Sequence, residues 1–568
     1  MFKSSNIETL NILSDDLSDR PDASRDLAQF ICKMPHLKNL TFDGSCHDDF
    51  YSTSSVMASS AKIETLNIYS DDLRERPNAS RDLAQFICKM PHLKNLTFDG
   101  SCHDDFYSTS SVMASSAKIE TLNIYSDDLR ERPNASRDLA QFIYKMPHLK
   151  NLTLRCYYHD DFYSTSSVMA SSAKIETLNI YSDDLRERPN ASRDLAQFIC
   201  KMPHLKNLTL NGKYEVFLHD DFYSTSSSMA SSAKIETLNI YSDDLRERPN
   251  ASRDLAQFIC KMPHLKNLTL NVKYEVFLHD DFYSTSSSMA SSAKIETLDI
   301  SSEDLRERPN ASRDLAQFIC KMPHLKNLTL RCHYHDDFYS TSSSMASSAK
   351  IETLYILAWD LSERPSASRD LAQFICKLTH LKDLTLGGQY HNDFYSTSSS
   401  IASSAKSVNT CPALTELTVD DDTLEGWQVC GSMFDNVRSV TIQVCYTIDC
   451  DVIQRIHLPG ATELTIQTQE YAYRPAVFHE ESTSLPNALL NISPQLVKVT
   501  FRDLDIGNSE MELILQAFRS PHNLKHLKTI RFVRCGTDLS MNGVTTACNK
   551  DQVMEVEVEH GKPRGDRF

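Results

Sequence analysis

Apolar residues recur along this chain at the spacing L-x-x-L-x-L. One form reads Ile63, Leu66 and Ile68, and a second reads Leu93, Leu96 and Phe98. Alternation at the end of each phrase predicts a short strand with one buried side. Between strands, SRDLAQFICKMPH sets Leu83, Phe86, Ile87 and Met90 at i, i+3, i+4 and i+7, which is one face of a helix. Ser80 reads as its N-cap, Asp82 and Lys89 suit its first and last turns, and Pro91 stops it. The companion segment HDDFYSTSSVMASSAK can place Phe106, Met113 and Ala117 on one face and is predicted helical, although its Ser/Thr run is a poor helix former. The predicted order is strand, turn, helix.

A fixed period organises these elements. The phrase IETL or IETLD begins at Ile7, Ile63, Ile119, Ile175, Ile235, Ile295 and Ile351, in steps of 56, 56, 56, 60, 60 and 56 residues. The second strand phrase starts at Leu37, Leu93, Leu149, Leu205, Leu265, Leu325 and Leu381, always 30 residues after the first. Seven long units, each of two half-units of about 28 residues, therefore follow one another. Beyond Lys406 near-identity stops, but strand phrases persist at Leu414, Val437, Ala461, Leu496 and Leu527, with another near Met554. The organisation is 1–406, fourteen near-identical half-units, then 407–568, about six divergent ones with a C-terminal cap. One half-unit cannot bury its own apolar side, so the strands are expected to stack in parallel at ~4.8 Å with helices outside.

The first half-unit continues through Asp71 and Leu73, close to L-x-x-L-x-L-x-x-[NC]-x-L with Asp for Asn. With DLAQFICKMPHLKNLTL at the helix-to-strand junction, the chain resembles the ribonuclease-inhibitor type of leucine-rich repeat in NACHT-containing (NOD-like) innate immune receptors, especially the expanded invertebrate sets. The resemblance implies an α/β leucine-rich-repeat solenoid, a horseshoe with a parallel β-sheet on the concave face and helices on the convex face. It also implies a non-catalytic recognition region, standing without the nucleotide-binding and effector domains of such a receptor. An intracellular adaptor, either inhibitor-like or the substrate-selecting arm of a ubiquitin ligase, is the alternative; an acidic surface would suit a basic client.

Composition narrows the chemistry. With 59 Lys+Arg against 76 Asp+Glu the net charge is −17, and no basic patch is segregated, so nucleic acid is not an expected partner. No run of ~18 apolar residues occurs and the opening lacks the apolar core of a signal peptide, so no membrane association and a cytoplasmic location are expected. Thirteen glycines form no phosphate-cradling motif. No cofactor or metal is expected and no enzyme, since every candidate group is copied unit after unit without a unique pocket. The seven HDDF or HNDF phrases sit two strands apart, too far to share one ion, and their Asp residues read as helix caps. Cys32, Cys88, Cys200, Cys260, Cys320 and Cys376 recur at one helix position, where Tyr144 stands in the third unit, and read as small reduced hydrophobes. Cys430, Cys445 and Cys450 lack zinc-like spacing, and Arg564-Gly565-Asp566 reads as a chance tripeptide. Asn78-type and Asn95-type glycosylation acceptors recur, but the second set lies within strands and reads as exposed polar floor.

What remains is a surface for a protein or a microbe-derived ligand. With Leu66 and Ile68 inward, Thr65, Asn67 and Tyr69 face the concave side, giving an uncharged floor crossed by Tyr69, Tyr125, Tyr181 and Tyr241. The units differ most just after the second strand. That places Arg155, Tyr157, Tyr158, Tyr214, Phe217, Tyr274, Phe277, Arg331 and Tyr334 on adjacent loops as candidate partner contacts.

Overall fold

The structure is a computed structural model of the 568-residue chain. It describes residues 7–69, 73–125, 129–155, 157–181, 185–211, 218–241, 245–271, 278–301, 304–397, 411–425, 434–445, 447–448, 450–453, 456–469, 472, 475–478, 485–506, 508–519, 524–535, 545–549 and 552–559. Asp71, Cys430, the Arg564–Asp566 tripeptide, Tyr214, Phe217, Tyr274 and Phe277 lie outside the described residues. Two compact units divide the chain, Met1–Ile295 and Glu296–Phe568.

In the first unit, β1 (Thr9–Leu17), α1 (Pro21–Lys33), β2 (Asn39–Cys46), α2 (Asp48–Met57), β3 (Thr65–Tyr69), α3 (Pro77–Lys89), β4 (Asn95–Asp99) and α4 (Asp104–Met113) set the pattern. It repeats through β5 (Thr121–Tyr125), β6 (Asn151–Arg155), β7 (Thr177–Tyr181), β8 (Asn207–Asn211), β9 (Thr237–Tyr241) and β10 (Asn267–Asn271). Successive strands pair in parallel and in one register, Asn39 with Thr65, Thr65 with Asn95 and Asn95 with Thr121. The even-numbered partners Leu66 and Ile68, Leu96 and Phe98 point toward the helices and are buried. Phe98 stacks on Phe106 at 5.3 Å between ring centroids, which pins α4 to the sheet. Each coil is thus a strand backed by a helix and completed only by its neighbours, the physical content of a leucine-rich-repeat solenoid.

The second unit follows the same rule. Thr297–Ser301, Asn327–Arg331, Thr353–Leu361 and Asp383–Tyr390 pair in parallel. The ladder continues into the divergent repeats, Asp383 opposite Glu416, Glu416 opposite Ser439, Ser439 opposite Glu463 and Glu463 opposite Lys498. Lys498 stands opposite Thr529, and Thr529 opposite Glu555. The last segment departs from parallel pairing: Thr545–Asn549 runs antiparallel to Gln552–Glu559.

Two local expectations are corrected. Ser80 is not an N-cap, because the helix starts at Pro77, whose missing N–H removes one donor that would need a partner. Ser80 lies fully buried instead, donates to Leu73 O at 2.9 Å and accepts from His103 N at 3.1 Å, joining the turn of one coil to the entry of the next. The HDDF carboxylates are not the caps either. His103 is the N-cap, its Nδ1 accepting Asp105 N at 3.2 Å, while Asp104 pairs with Arg132, just before the following helix, and Asp105 with Arg81 of α3. The turn after the second-kind strand is closed by a second short parallel ladder, pairing Leu17 with Cys46, Leu73 with Cys102, Leu129 with Tyr158 and Leu245 with Leu278. In the second unit Leu305 with Tyr334 and Leu361 with Tyr390 do the same.

That ladder contradicts two of the surface expectations. Tyr158 and Tyr334, read as partner-facing loop residues, are each only 1% exposed. Their rings stack on Phe162 and Phe338 at 4.3 and 4.2 Å, filling the place that Cys102 or Leu278 fills elsewhere. An apolar plug is required where the chain turns from sheet to helix, and a tyrosine serves as well as a thiol.

Candidate recognition surface

The helical side of each coil is occupied by its own packing and by the Arg–Asp pairs that run from helix to helix. The opposite sheet face is free of helices and presents the outward side chains of successive strands. In the first unit it carries three rows of residues, set by the odd positions of each strand.

Two rows form a hydrogen-bonded floor. Asn95 Nδ2 donates to Thr65 Oγ1 at 3.2 Å and Asn151 to Thr121 at 3.2 Å in the first row. Asn67 donates to Thr41 and Asn123 to Thr97, both at 3.2 Å, and Asn239 to Thr209 at 3.3 Å in the second. Each strand from β2 to β9 therefore gives an amide to the strand before it and offers a hydroxyl oxygen to the strand after it. Two neighbouring charges cancel at the strand entrances: Lys94 pairs with Glu64 at 3.1 Å, Lys206 with Glu176 at 3.0 Å and Lys266 with Glu236 at 2.8 Å. The lysine hydrogen bond holds the Glu176 carboxyl below its ordinary range.

The third row holds the predicted tyrosines. Tyr69 stands beside Asp99, Asp99 beside Tyr125 and Tyr125 beside Arg155, with Tyr181 and Tyr241 flanking Asn211 further along. Tyr69 and Tyr181 are 39% and 36% exposed, and Tyr125 and Tyr241 are half-buried. Burial raises the Tyr125 phenol above its ordinary range, as do neighbouring Tyr181, Tyr69 and Asp99, with Arg155 opposing them. Tyr157 lies off this row, half-buried, with the Arg130 guanidinium 4.2 Å from its ring centroid.

In the second unit the floor changes character where the repeat is broken. Asp299 replaces the strand Asn, Tyr355 replaces the next one, and Thr329 lies between them in register. Arg331, a sequence candidate, places its guanidinium 5.1 Å from the Tyr355 ring centroid. Burial raises the Asp299 carboxyl, and Arg331 partly offsets this. Tyr355 and Asp299 escaped the sequence reading, although their departure from the Asn of every earlier first-kind strand was a signal in plain view. Behind them, His333 Nδ1 lies 3.4 Å from Asp360, and Arg364 pairs with Asp360 at 2.7 Å. For Asp360, burial opposes ionisation but is outweighed by His333 and Arg364, so its carboxyl sits below its ordinary range.

Among the described residues, no group of three or more His, Cys, Asp or Glu is placed to hold a metal ion, and no helix is long and apolar enough to cross a membrane. The recurrent helix cysteines are buried free thiols, burial pushing Cys88 and Cys200 up to about 12. At the same helix position Tyr144 packs edge-on to Phe198 at 5.5 Å.

No family model and no curated protein matches the chain. Among solved structures it is similar to the TLR13 chain of a TLR13–ssRNA13 complex, at 12% identity and a TM-score of 0.38, covering 97% of this chain and 83% of that one. The strand ladders themselves define the fold.

Proposed function

We propose that this chain is a non-catalytic recognition solenoid that holds a protein or microbe-derived ligand against its open sheet face. The observation that carries the reading is the tyrosine row, Tyr69, Tyr125, Tyr181 and Tyr241, standing over a floor whose amides and hydroxyls are already ordered. Rigid aromatic area with two rotatable bonds costs little to immobilise, and pre-ordered polar groups reduce the ordering entropy of binding. Arg331 over Tyr355 gives the second unit a patch of the composition that dominates binding hot spots. Resemblance of the repeat motifs to NOD-like receptors supports a place as the sensing region of a cytoplasmic innate-immune-receptor-like protein.

The test immobilises the full chain and exposes it to host lysate and to microbial extracts. Capture should be lost in a Tyr125→Ala, Tyr181→Ala variant and kept in Val112→Ser, which alters an 80% exposed helix-side residue. A ligand retained by the tyrosine variant and lost with Val112→Ser would move the binding surface to the helices and overturn the reading.

A further inference from the structure

Resting on the open-face reading, we infer that the ligand class of the first unit is a neutral, extended, β-linked polysaccharide lying across the strands along the tyrosine row. The first observation is pitch. Tyr69 and Tyr125 are separated by the single strand carrying Asp99, and Tyr181 and Tyr241 by the one carrying Asn211, so the ring recurs every second strand, ~10 Å apart at ordinary strand spacing. In an extended β-1,4-linked chain each sugar is flipped relative to the last, so the same C–H face returns every second sugar at nearly this pitch. A bound peptide strand repeats its side-chain direction every ~6.6 Å and falls out of step with the row. An amphipathic helix does return every seventh residue at ~10.5 Å, but its apolar stripe would cover hydrogen-bonding Asn and Thr.

The second observation is the chemistry of the floor. Asn67, Asn123 and Asn239 each spend one amide hydrogen on a neighbouring Thr hydroxyl oxygen. By donor and acceptor count, that bond uses neither the carboxamide oxygen, nor the second amide hydrogen, nor the Thr hydroxyl hydrogen. That alternation of donors and acceptors matches sugar hydroxyls, and these two rows hold no ion to be desolvated. The third observation is charge. A single-stranded nucleic acid could stack its bases on the same rings, but needs cations along its phosphates. Lys94, Lys206 and Lys266 pair with Glu64, Glu176 and Glu236, leaving the Arg155 cation among Asp43, Asp99, Asn211 and the tyrosines in the row.

Calorimetric titration of the full chain tests this with β-1,4-linked glucose and N-acetylglucosamine oligomers of increasing even length, α-1,4-linked glucose oligomers of equal length, and oligouridine. The β-linked oligomers should bind, tighten several-fold with each added pair of sugars, and hardly respond to salt. Binding should weaken by about tenfold or more in Tyr125→Ala, Tyr181→Ala, as expected for hot-spot aromatics, and survive in Tyr125→Trp, Tyr181→Trp, which keeps the platforms. Silence from both β-linked series, equal binding of the α-linked one, or binding that ignores the alanine variant would overturn the inference. Tyrosine-dependent binding of oligouridine or of a peptide, with the β-linked series silent, would sink the polysaccharide while sparing the open face. Binding of any ligand that ignored the alanine variant would sink both.

Discussion

Asn67 Nδ2 donates to Thr41 Oγ1 across neighbouring strands at 3.2 Å, and the same bond recurs from Asn123 to Thr97. The floor of the open face is therefore a structure in its own right and not a loose set of solvated polar groups. Removing one member should cost little. Thr97→Ala or Asn123→Ala is expected to lower stability by about 0.5–1.5 kcal/mol, and the double substitution by less than the sum, measured by urea unfolding. Strict additivity would show that the pair does not interact.

Phe30 and Phe86 occupy one helix position in successive units, yet Phe30 is 45% exposed and Phe86 only 2%. The same substitution should then have unequal effects. Phe86→Ala is expected to cost about 3–5 kcal/mol, while Phe30→Ala should stay near the range of surface changes, about 1 kcal/mol or less. Because stacked coils are stabilised by nearest neighbours, amide exchange of α3 and α1 is the readout that resolves the difference.

His103 accepts Asp105 N at the start of α4, as the equivalent His159 does for Asp161 at 3.1 Å. His103→Ala should destabilise α4 by about 1 kcal/mol and His103→Asn by much less, since an Asn oxygen can accept the same N–H. Equal losses in the two variants would show that ring packing, not capping, is the histidine's contribution.

Asp420 is buried, accepting Thr423 N at 2.8 Å and Gly388 N at 2.9 Å. A Cβ at Gly387 would fall 2.6 Å from Leu357 Cδ1 and 2.8 Å from the Asp420 carboxylate, so a side chain there would have to displace both. Burial, only partly offset by these hydrogen bonds, raises the Asp420 carboxyl to about 6. The folded state thus holds the proton more tightly than the unfolded chain. Its favourable contribution is complete below the unfolded value near 4 and is lost as pH rises through about 6, a change of up to about 3 kcal/mol. Urea unfolding followed from pH 4 to 7 should show that component in the parent and not in Asp420→Asn; identical pH profiles would refute it.

The period, the strand starts, the inward residues Leu66, Ile68, Leu96 and Phe98, and the buried helix face at Leu83, Phe86 and Ile87 were all determined by the sequence alone. In a stack of coils each apolar position meets the same neighbours unit after unit, so local periodicity is enough to assign it. Tertiary structure decided whatever depends on the next coil. Ser80 accepts the backbone N–H of His103, Asp104 and Asp105 pair with Arg132 and Arg81, and Tyr158 bridges to Leu129 of the preceding coil. In the same way Arg331 finds Tyr355, and Asp420 finds the amide of Gly388, 32 positions earlier in the chain. A side chain's reach of a few ångströms crosses from one coil to the next more readily than it travels along its own strand, and a linear pattern does not contain that distance.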